Sequence, residues 1–164
     1  MSSRFTDMDG PDGPEEQWAW IRFRGQVASA IRGRRGQATL KQAAEAMERL
    51  PRRQLITGEL CDGTGVCVVG AVIYDDFKSK GLSPKAAWNK LRGLSRKIGR
   101  DAYEIEEYAV KELGFTRALA NEVQFENDEG AGFGLDPRAS YSGMLGWLRR
   151  MTSDRVEHMG GDVR

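Results

Sequence analysis

The sequence is short of the side chains that most enzymes and metal sites use. Its 164 residues include one histidine and two cysteines, and no apolar run approaches the roughly 20 residues of a membrane-spanning helix. The scarcity of histidine weakens acid–base catalysis near neutral pH, because histidine is the side chain that ordinarily titrates there. Two cysteines are too few for a disulfide framework, and no signal-peptide pattern is visible. We therefore expect a cytosolic protein with reduced thiols.

The residues that are present do not form a recognisable metal or catalytic pattern. Five residues separate Cys61 from Cys67, and His158 is distant in the sequence, so no zinc ligand set can be assembled. The acidic run at 126–129 is consecutive, whereas a calcium loop distributes its ligands through a turn. We predict no metal, no cofactor and no catalytic residue. An enzyme whose carboxylates converge only in the fold is a third, weaker hypothesis.

The formal net charge of +1 hides a strong segregation of charge along the chain. Residues 17–53 hold nine cations and two anions, and residues 78–100 hold eight cations and no anion. Residues 101–136, in contrast, hold two cations and ten anions. This segregation predicts separate basic and acidic surfaces that attract partners of opposite charge. The sequence leaves open whether the lysine-rich segment instead pairs with the acidic helices inside the fold.

Apolar periodicity predicts an α+β fold that is mainly α, with about five to six helices and one small β-hairpin. The hairpin is predicted around the string "DGTG", with one strand at residues 55–56 and the other at 66–69. A single mostly helical domain is expected over residues 15–152. Residues 1–14 are expected to be a disordered tail, and residues 153–164 a flexible C-terminal tail.

The first predicted helix has an apolar stripe that we expect to face the core. Trp20, Phe23 and Val27 belong to this stripe, which Trp18 and Ile21 widen. A glycine at position 33 or 36 is expected to end the helix, and the second helix is expected from about residue 37. Arg34 and Arg35 are therefore predicted to lie in the turn.

Two sets of charged residues are the candidate binding surfaces. Basic side chains can neutralise nucleic-acid phosphates or an acidic protein surface, and Trp88 is a candidate for stacking on a base. The acidic set follows a helix–Gly114–helix pattern that resembles a helix-turn-helix, but its negative second helix would repel DNA, so it is predicted to face a basic partner. The basic set comprises Arg32, Arg34, Arg35, Lys41, Arg52, Arg53, Lys90, Arg92, Arg96, Lys97 and Arg100, and the acidic set comprises Glu122, Glu126, Asp128 and Glu129.

Three strings resemble a family of small uncharacterised proteins of tailed phages and prophages. They are "FRGQVASAIRGRRGQ" (23–37), "LITGELCDGTGVCVVGA" (55–71) and "TRALANEVQFENDE" (116–129). The family supplies no activity that can be carried over residue by residue. The resemblance implies a phage accessory protein that acts in the cytoplasm of its bacterial host.

These observations lead to two ranked hypotheses on function. The first is a non-catalytic phage accessory protein that binds a host protein or macromolecular complex as an anti-defence or host-takeover inhibitor. Opposed charge patches would steer that encounter, and apolar side chains would hold the complex. The alternative is a sequence-tolerant nucleic-acid-binding protein that uses the basic patches. Neither hypothesis requires a membrane.

Overall fold

Seven helices make up the fold in the computed structural model, which describes residues 13–134 and 136–159. This part of the chain contains no strand, so the predicted α+β class is wrong and the helix count is above the five to six expected. The helices are α1 (Pro14–Arg32), α2 (Arg34–Glu48), α3 (Val68–Ser79), α4 (Pro84–Ile98), α5 (Ala102–Glu112), α6 (Arg117–Asp128) and α7 (Pro137–Met159).

The predicted β-hairpin is replaced by an irregular loop over residues 49–67. Leu55 and Cys61 each form an isolated bridge with Val66, but these bridges do not extend into strands. Val68 and Val69, predicted as strand residues, instead begin α3 and are fully buried there. A short run of β-branched residues fits either a buried strand or a buried helix, and burial on several sides favours the helix here.

Helix α3 is the centre of the molecule. It packs against α2, α4 and α6, and α2 in turn packs against α7. A helical segment that is apolar all round is one that neighbours surround, and residues 68–74 of α3 have this composition. Its buried apolar side chains are Val68, Val69, Ala71, Val72, Ile73, Tyr74 and Phe77.

A single residue, Gly33, connects α1 to α2. The predicted turn that contains Arg34 and Arg35 is therefore wrong, because both arginines lie in the first turn of α2. The sharp corner brings the two helices so close that a β-carbon on Gly36 would collide with the carbonyl oxygen of Ala30. Glycine at position 36 is thus what allows the helices to meet.

The first part of α1 does not join the core, contrary to the predicted stripe. Val27 is buried, and Ile31 packs against the core cluster. Trp18, Trp20 and Ile21, however, are 64%, 39% and 52% exposed. The apolar periodicity is real, but the other helices reach only the later turns of α1.

The two predicted tails fall largely outside the description. The structure begins at Gly13, and α1 starts one residue later. Helix α7 continues past the expected boundary at residue 152 as far as Met159. The predictions for residues 1–12 and 160–164 concern parts of the chain outside the described residues.

Candidate anion-binding surfaces

Helix α4 is a regular amphipathic helix whose start is defined locally. The Ser83 hydroxyl accepts a hydrogen bond from the Ala86 backbone N–H at 3.2 Å, and Pro84 occupies the first turn, as predicted. On the inner face, Leu91 is buried against the core. The buried Ser95 hydroxyl donates to the Cys61 carbonyl oxygen at 2.9 Å. These contacts fix one face of α4 and leave the opposite face in solvent.

The solvent face of α4 carries cations and no carboxylate. Lys85, Arg92 and Arg96 are exposed at i, i+7 and i+11, which places them in one row along the helix. Lys90 and Lys97, seven residues apart, form a second row about 120–140° around the helix from the first, and both are exposed. We refer to these five residues as the α4 basic face.

Within the described residues, the α4 basic face forms no ion pair with the acidic helices, although Lys90 shares a cleft with Asp76 and Glu112. Lys90 Nζ lies 4.4 Å from the centroid of the Phe77 ring. Among the described residues, the other four side chains of this face form no ion pair. The acidic helix α5 is balanced from elsewhere, because Lys111 and Arg117 both pair with Glu107 and together hold the pKa of that carboxyl below its usual range. The charge of the α4 basic face therefore remains available.

A second basic surface is a groove of about 730 Å³ between the end of α2 and the start of α7. Arg149 donates two hydrogen bonds to Glu48 Oε1, at 3.1 and 2.5 Å, so these two charges offset each other. The other guanidinium groups of the groove face no carboxylate partner within the described residues. We name this surface the arginine groove, and its arginines are Arg52, Arg53, Arg138 and Arg149.

Tyr141 forms the floor of the arginine groove. Its hydroxyl donates to the Met47 carbonyl oxygen at 2.7 Å, and the residue is buried. Burial raises the pKa of this phenol, against a smaller opposing effect of the nearby Arg53 guanidinium. The neutral phenol therefore adds no negative charge to the groove at physiological pH.

The loop 49–67 lies between the two basic surfaces. Arg52 Nη1 donates to the Gly63 carbonyl oxygen at 3.2 Å. Arg100 pairs with Glu59 at 3.2 Å. Against the effect of burial, hydrogen bonds from Thr64 and Gly65 and, to a smaller extent, the nearby Arg100 charge lower the pKa of Asp62, the residue before Gly63. The loop thus contacts both the arginine groove and the end of α4.

The arginines of the α1–α2 corner have different roles. Arg35 Nε donates to the Gly114 carbonyl oxygen at 2.9 Å, which ties α2 to the turn between α5 and α6. Arg32 and Arg34 are exposed and form no ion pair with any residue that the structure describes. Lys41 pairs with Glu45 at 3.9 Å. Only Arg32 and Arg34 of this group are thus available to an anion without breaking a contact.

The acidic residues predicted to face a partner are engaged within the fold. Glu126 Oε2 accepts a hydrogen bond from the Ala131 backbone N–H at 2.8 Å. Asp128 Oδ1 accepts one from the Gly58 backbone N–H at 3.3 Å. Glu122 and Glu129 also have interaction partners. These carboxylates contribute to the loops around α6, and the partner-facing surface stays a prediction.

Sequence reasoning missed two residues of importance and overestimated a third. Arg138 lines the arginine groove but lies outside the cation-rich segments, so charge counting did not single it out. Asn127 lies at the end of α6, where sequence alone gives it no role, yet it is buried and hydrogen-bonded to the first turn of α3 and to the loop. Trp88 packs edge-on against Tyr74, with ring centroids 5.9 Å apart, and is half-buried rather than free to stack.

The described residues show neither a metal centre nor a membrane-spanning helix. No group of three or more histidine, cysteine, aspartate or glutamate side chains is arranged to hold a metal ion there. In the same part of the chain, none of the helices has both the length and the apolar composition needed to cross a membrane. Comparison with known proteins found no matching family model, no similar curated protein and no similar solved structure.

Proposed function

We propose that the protein binds nucleic acid through its phosphates, with little dependence on base sequence. The observation that carries the proposal is the α4 basic face, on which four cations have no ion-pair partner among the described residues. Residues 78–100 contain no carboxylate that could compete for these cations. A polyanion is the partner that satisfies a row of such charges, because it releases counterions when they bind.

The spacing of the cations suits a phosphate backbone. Lys85 and Arg96 are eleven residues apart, which is roughly 16 Å along a helix. Duplex DNA carries one negative charge per about 1.7 Å of its axis, so several phosphates lie within that length. Long lysine and arginine side chains reach phosphates without reading bases, and Trp88 is held against the core. Sequence tolerance follows from these two features.

The proposed contact with nucleic acid also includes the arginine groove. Arg52 of this groove contacts Gly63, and the neighbouring Asp62 lies near Arg100, which follows the α4 basic face. A strand that runs along α4 and over the loop would reach the groove. The guanidinium groups would then contact its phosphates in a bidentate manner.

Fluorescence anisotropy with a labelled duplex and a labelled single strand, both of mixed sequence, tests the proposal. The test variant carries Arg92→Ala and Arg96→Ala. Between about 50 and about 200 mM salt, the wild type should lose affinity steeply, and each lost phosphate contact should reduce the salt slope by about 1. The test variant should therefore show a slope lower by about 2.

A matched control removes the same formal charge elsewhere. Lys80 and Lys111 are exposed and pair with Asp76 and Glu107 one turn earlier, at 2.6 and 3.1 Å. The variant Lys80→Ala with Lys111→Ala should bind as the wild type does. If both variants lost affinity for nucleic acid to the same extent, net charge alone would explain the effect, and this result would contradict a localised site. Absence of binding at about 50 mM salt would contradict the proposal itself.

The α4 basic face also suits an acidic protein surface, which is the kind of partner that the phage resemblance implies. That hypothesis gives a different result in a pull-down from bacterial lysate. After nuclease treatment, a stoichiometric host protein would be retained by the wild type and lost by the variant with Arg92→Ala and Arg96→Ala. Retention of that protein, together with no binding to either labelled nucleic acid, would favour the host-protein hypothesis.

A further inference from the structure

The first turns of α1 present an apolar face that nothing described in the chain covers. Trp18 and Ile21 are 64% and 52% exposed and lie three residues apart on one side of the helix. Val27, which is buried, is nine residues from Trp18 and therefore lies on the opposite side. Gly25 continues the exposed row, and a β-carbon added there would meet nothing within 4 Å. We call Trp18, Ile21 and Gly25 the α1 outer face.

Charged residues of opposite sign flank Trp18. Glu15 and Arg22, seven residues apart, line one shallow cleft together with the Trp18 ring. Neither charge has an ion-pair partner among residues 13–134 and 136–159. An acidic residue and a basic residue therefore lie on the same side of the apolar row, one before Trp18 and one beyond it.

We propose that a second copy of this chain packs on the α1 outer face in an antiparallel arrangement. When two antiparallel helices cross near Trp18, Glu15 of each copy comes opposite Arg22 of the other. A two-fold axis makes this exchange reciprocal, so one surface provides both ion pairs. The same axis brings Trp18 and Ile21 of the two copies together and removes their apolar surface from water.

The charge pattern favours a second copy of the chain as the partner, and it favours the antiparallel orientation. In a parallel two-fold pair, the two Glu15 side chains lie at one level and the two Arg22 side chains at another, so Glu15 of one copy does not come opposite Arg22 of the other. The antiparallel pair brings both opposite charges together. Exposed apolar residues with flanking charges are typical of an interface between proteins rather than of an isolated surface. The dimer would carry two α4 basic faces, but its formation does not depend on nucleic-acid binding.

Sedimentation velocity from micromolar to millimolar protein tests the proposal with the full chain. The wild type should change from monomer to dimer as concentration rises. Trp18→Ser should weaken dimerisation at least tenfold, as should Ile21→Ser. Phe133→Ser is the matched control, because Phe133 is 70% exposed outside the α1 outer face, and it should leave the equilibrium unchanged. Far-UV circular dichroism checks that every variant keeps its helix content.

A charge exchange tests the antiparallel geometry. Glu15→Arg alone and Arg22→Glu alone should each weaken the dimer, because each places like charges opposite one another. The double variant Glu15→Arg with Arg22→Glu should restore it. A wild type that stays monomeric at every concentration would overturn the proposal, as would a dimer that Trp18→Ser leaves intact. A dimer that the single charge changes weaken but the double variant does not rescue would overturn the antiparallel arrangement.

Discussion

The Asn127 side-chain oxygen accepts a hydrogen bond from the Val68 backbone N–H at 2.9 Å, which ties the end of α6 to the first turn of α3. The same side chain donates from Nδ2 to the Ile56 carbonyl oxygen at 3.0 Å. Asn127 is 1% exposed, so both backbone groups are satisfied away from water. One asparagine thus anchors the loop that separates the arginine groove from the end of α4.

Substitution Asn127→Ala should lower the free energy of unfolding by about 2–4 kcal/mol, because it leaves two backbone groups unsatisfied in the interior. Urea denaturation monitored by circular dichroism measures this change. Asn89→Ala, on the exposed side of α4, should alter stability by less than about 0.5 kcal/mol. If Asn127→Ala lowered the free energy of unfolding no more than Asn89→Ala does, this result would contradict the anchoring role of Asn127.

Gly36→Ala should destabilise the protein by about 3 kcal/mol, because its β-carbon would collide with the Ala30 carbonyl oxygen at the α1–α2 corner. A backbone carbonyl cannot move aside as a flexible side chain can. Gly93→Ala is the control in the middle of α4, where a β-carbon meets nothing within 4 Å. It should stabilise by about 0.5–1 kcal/mol through helix propensity. Thermal denaturation of both variants measures the difference, and equal melting temperatures would refute the tight corner.

The Asp62 carboxylate should make stability depend on pH in the acidic range. Burial opposes ionisation, but hydrogen bonds to Oδ1 from the Thr64 hydroxyl and from the Thr64 and Gly65 backbone N–H groups outweigh it and lower the pKa of Asp62. A lowered folded-state pKa means that this stabilisation is present above the unfolded-state pKa and is lost as the pH falls through the folded-state value.

Replacement Asp62→Asn should therefore lower the free energy of unfolding by about 1 kcal/mol at pH 7, and by progressively less below about pH 4. Urea denaturation of wild type and variant across this pH range measures the difference. Glu112→Gln is a control, since Glu112 is exposed at the end of α5. A destabilisation at Asp62 that stayed constant down to about pH 2 would show that the charge is not what the hydrogen bonds stabilise.

Both cysteines should resist alkylation in the folded protein. Burial raises the pKa of the Cys67 thiol to about 12, and burial also raises the pKa of Cys61. The thiolate is the reactive form, so little of it exists at pH 8, and neither side chain is accessible. Mass spectrometry after iodoacetamide treatment should find two unmodified thiols in buffer and two modified thiols in denaturant. Rapid modification of either native thiol would contradict its burial.

Local signals in the sequence predicted the helix starts well. Ser83 and Thr116 are residue types that favour the N-cap, and each accepts a hydrogen bond from the backbone N–H three residues later. Asp101 is another such residue and accepts hydrogen bonds from the backbone N–H groups of Tyr103 and Glu104 at 2.9 and 3.4 Å. Such caps involve neighbouring residues only, so sequence alone contains the necessary information.

Elements whose conformation depends on distant neighbours were predicted wrongly. The apolar, valine-rich run at 66–69 fits a strand locally, but Val68 and Val69 form a helix because helices packed on α3 bury it from several sides. Trp18 and Ile21 have core periodicity but stay exposed, because the other helices contact later turns of α1. Periodicity identifies an apolar face without identifying what covers it.

Near neighbours in the chain are enough to fix the helical caps, the amphipathic form of α4 and the concentration of cations in residues 78–100. Packing between distant parts of the chain turns the apolar side of α4 to α3 and its cations to solvent. It also brings Arg138 beside Arg52 and Arg53 and engages the acidic residues of α6 within the fold. Charge pairing depends on separation in space, and packing sets that separation for residues far apart in the chain.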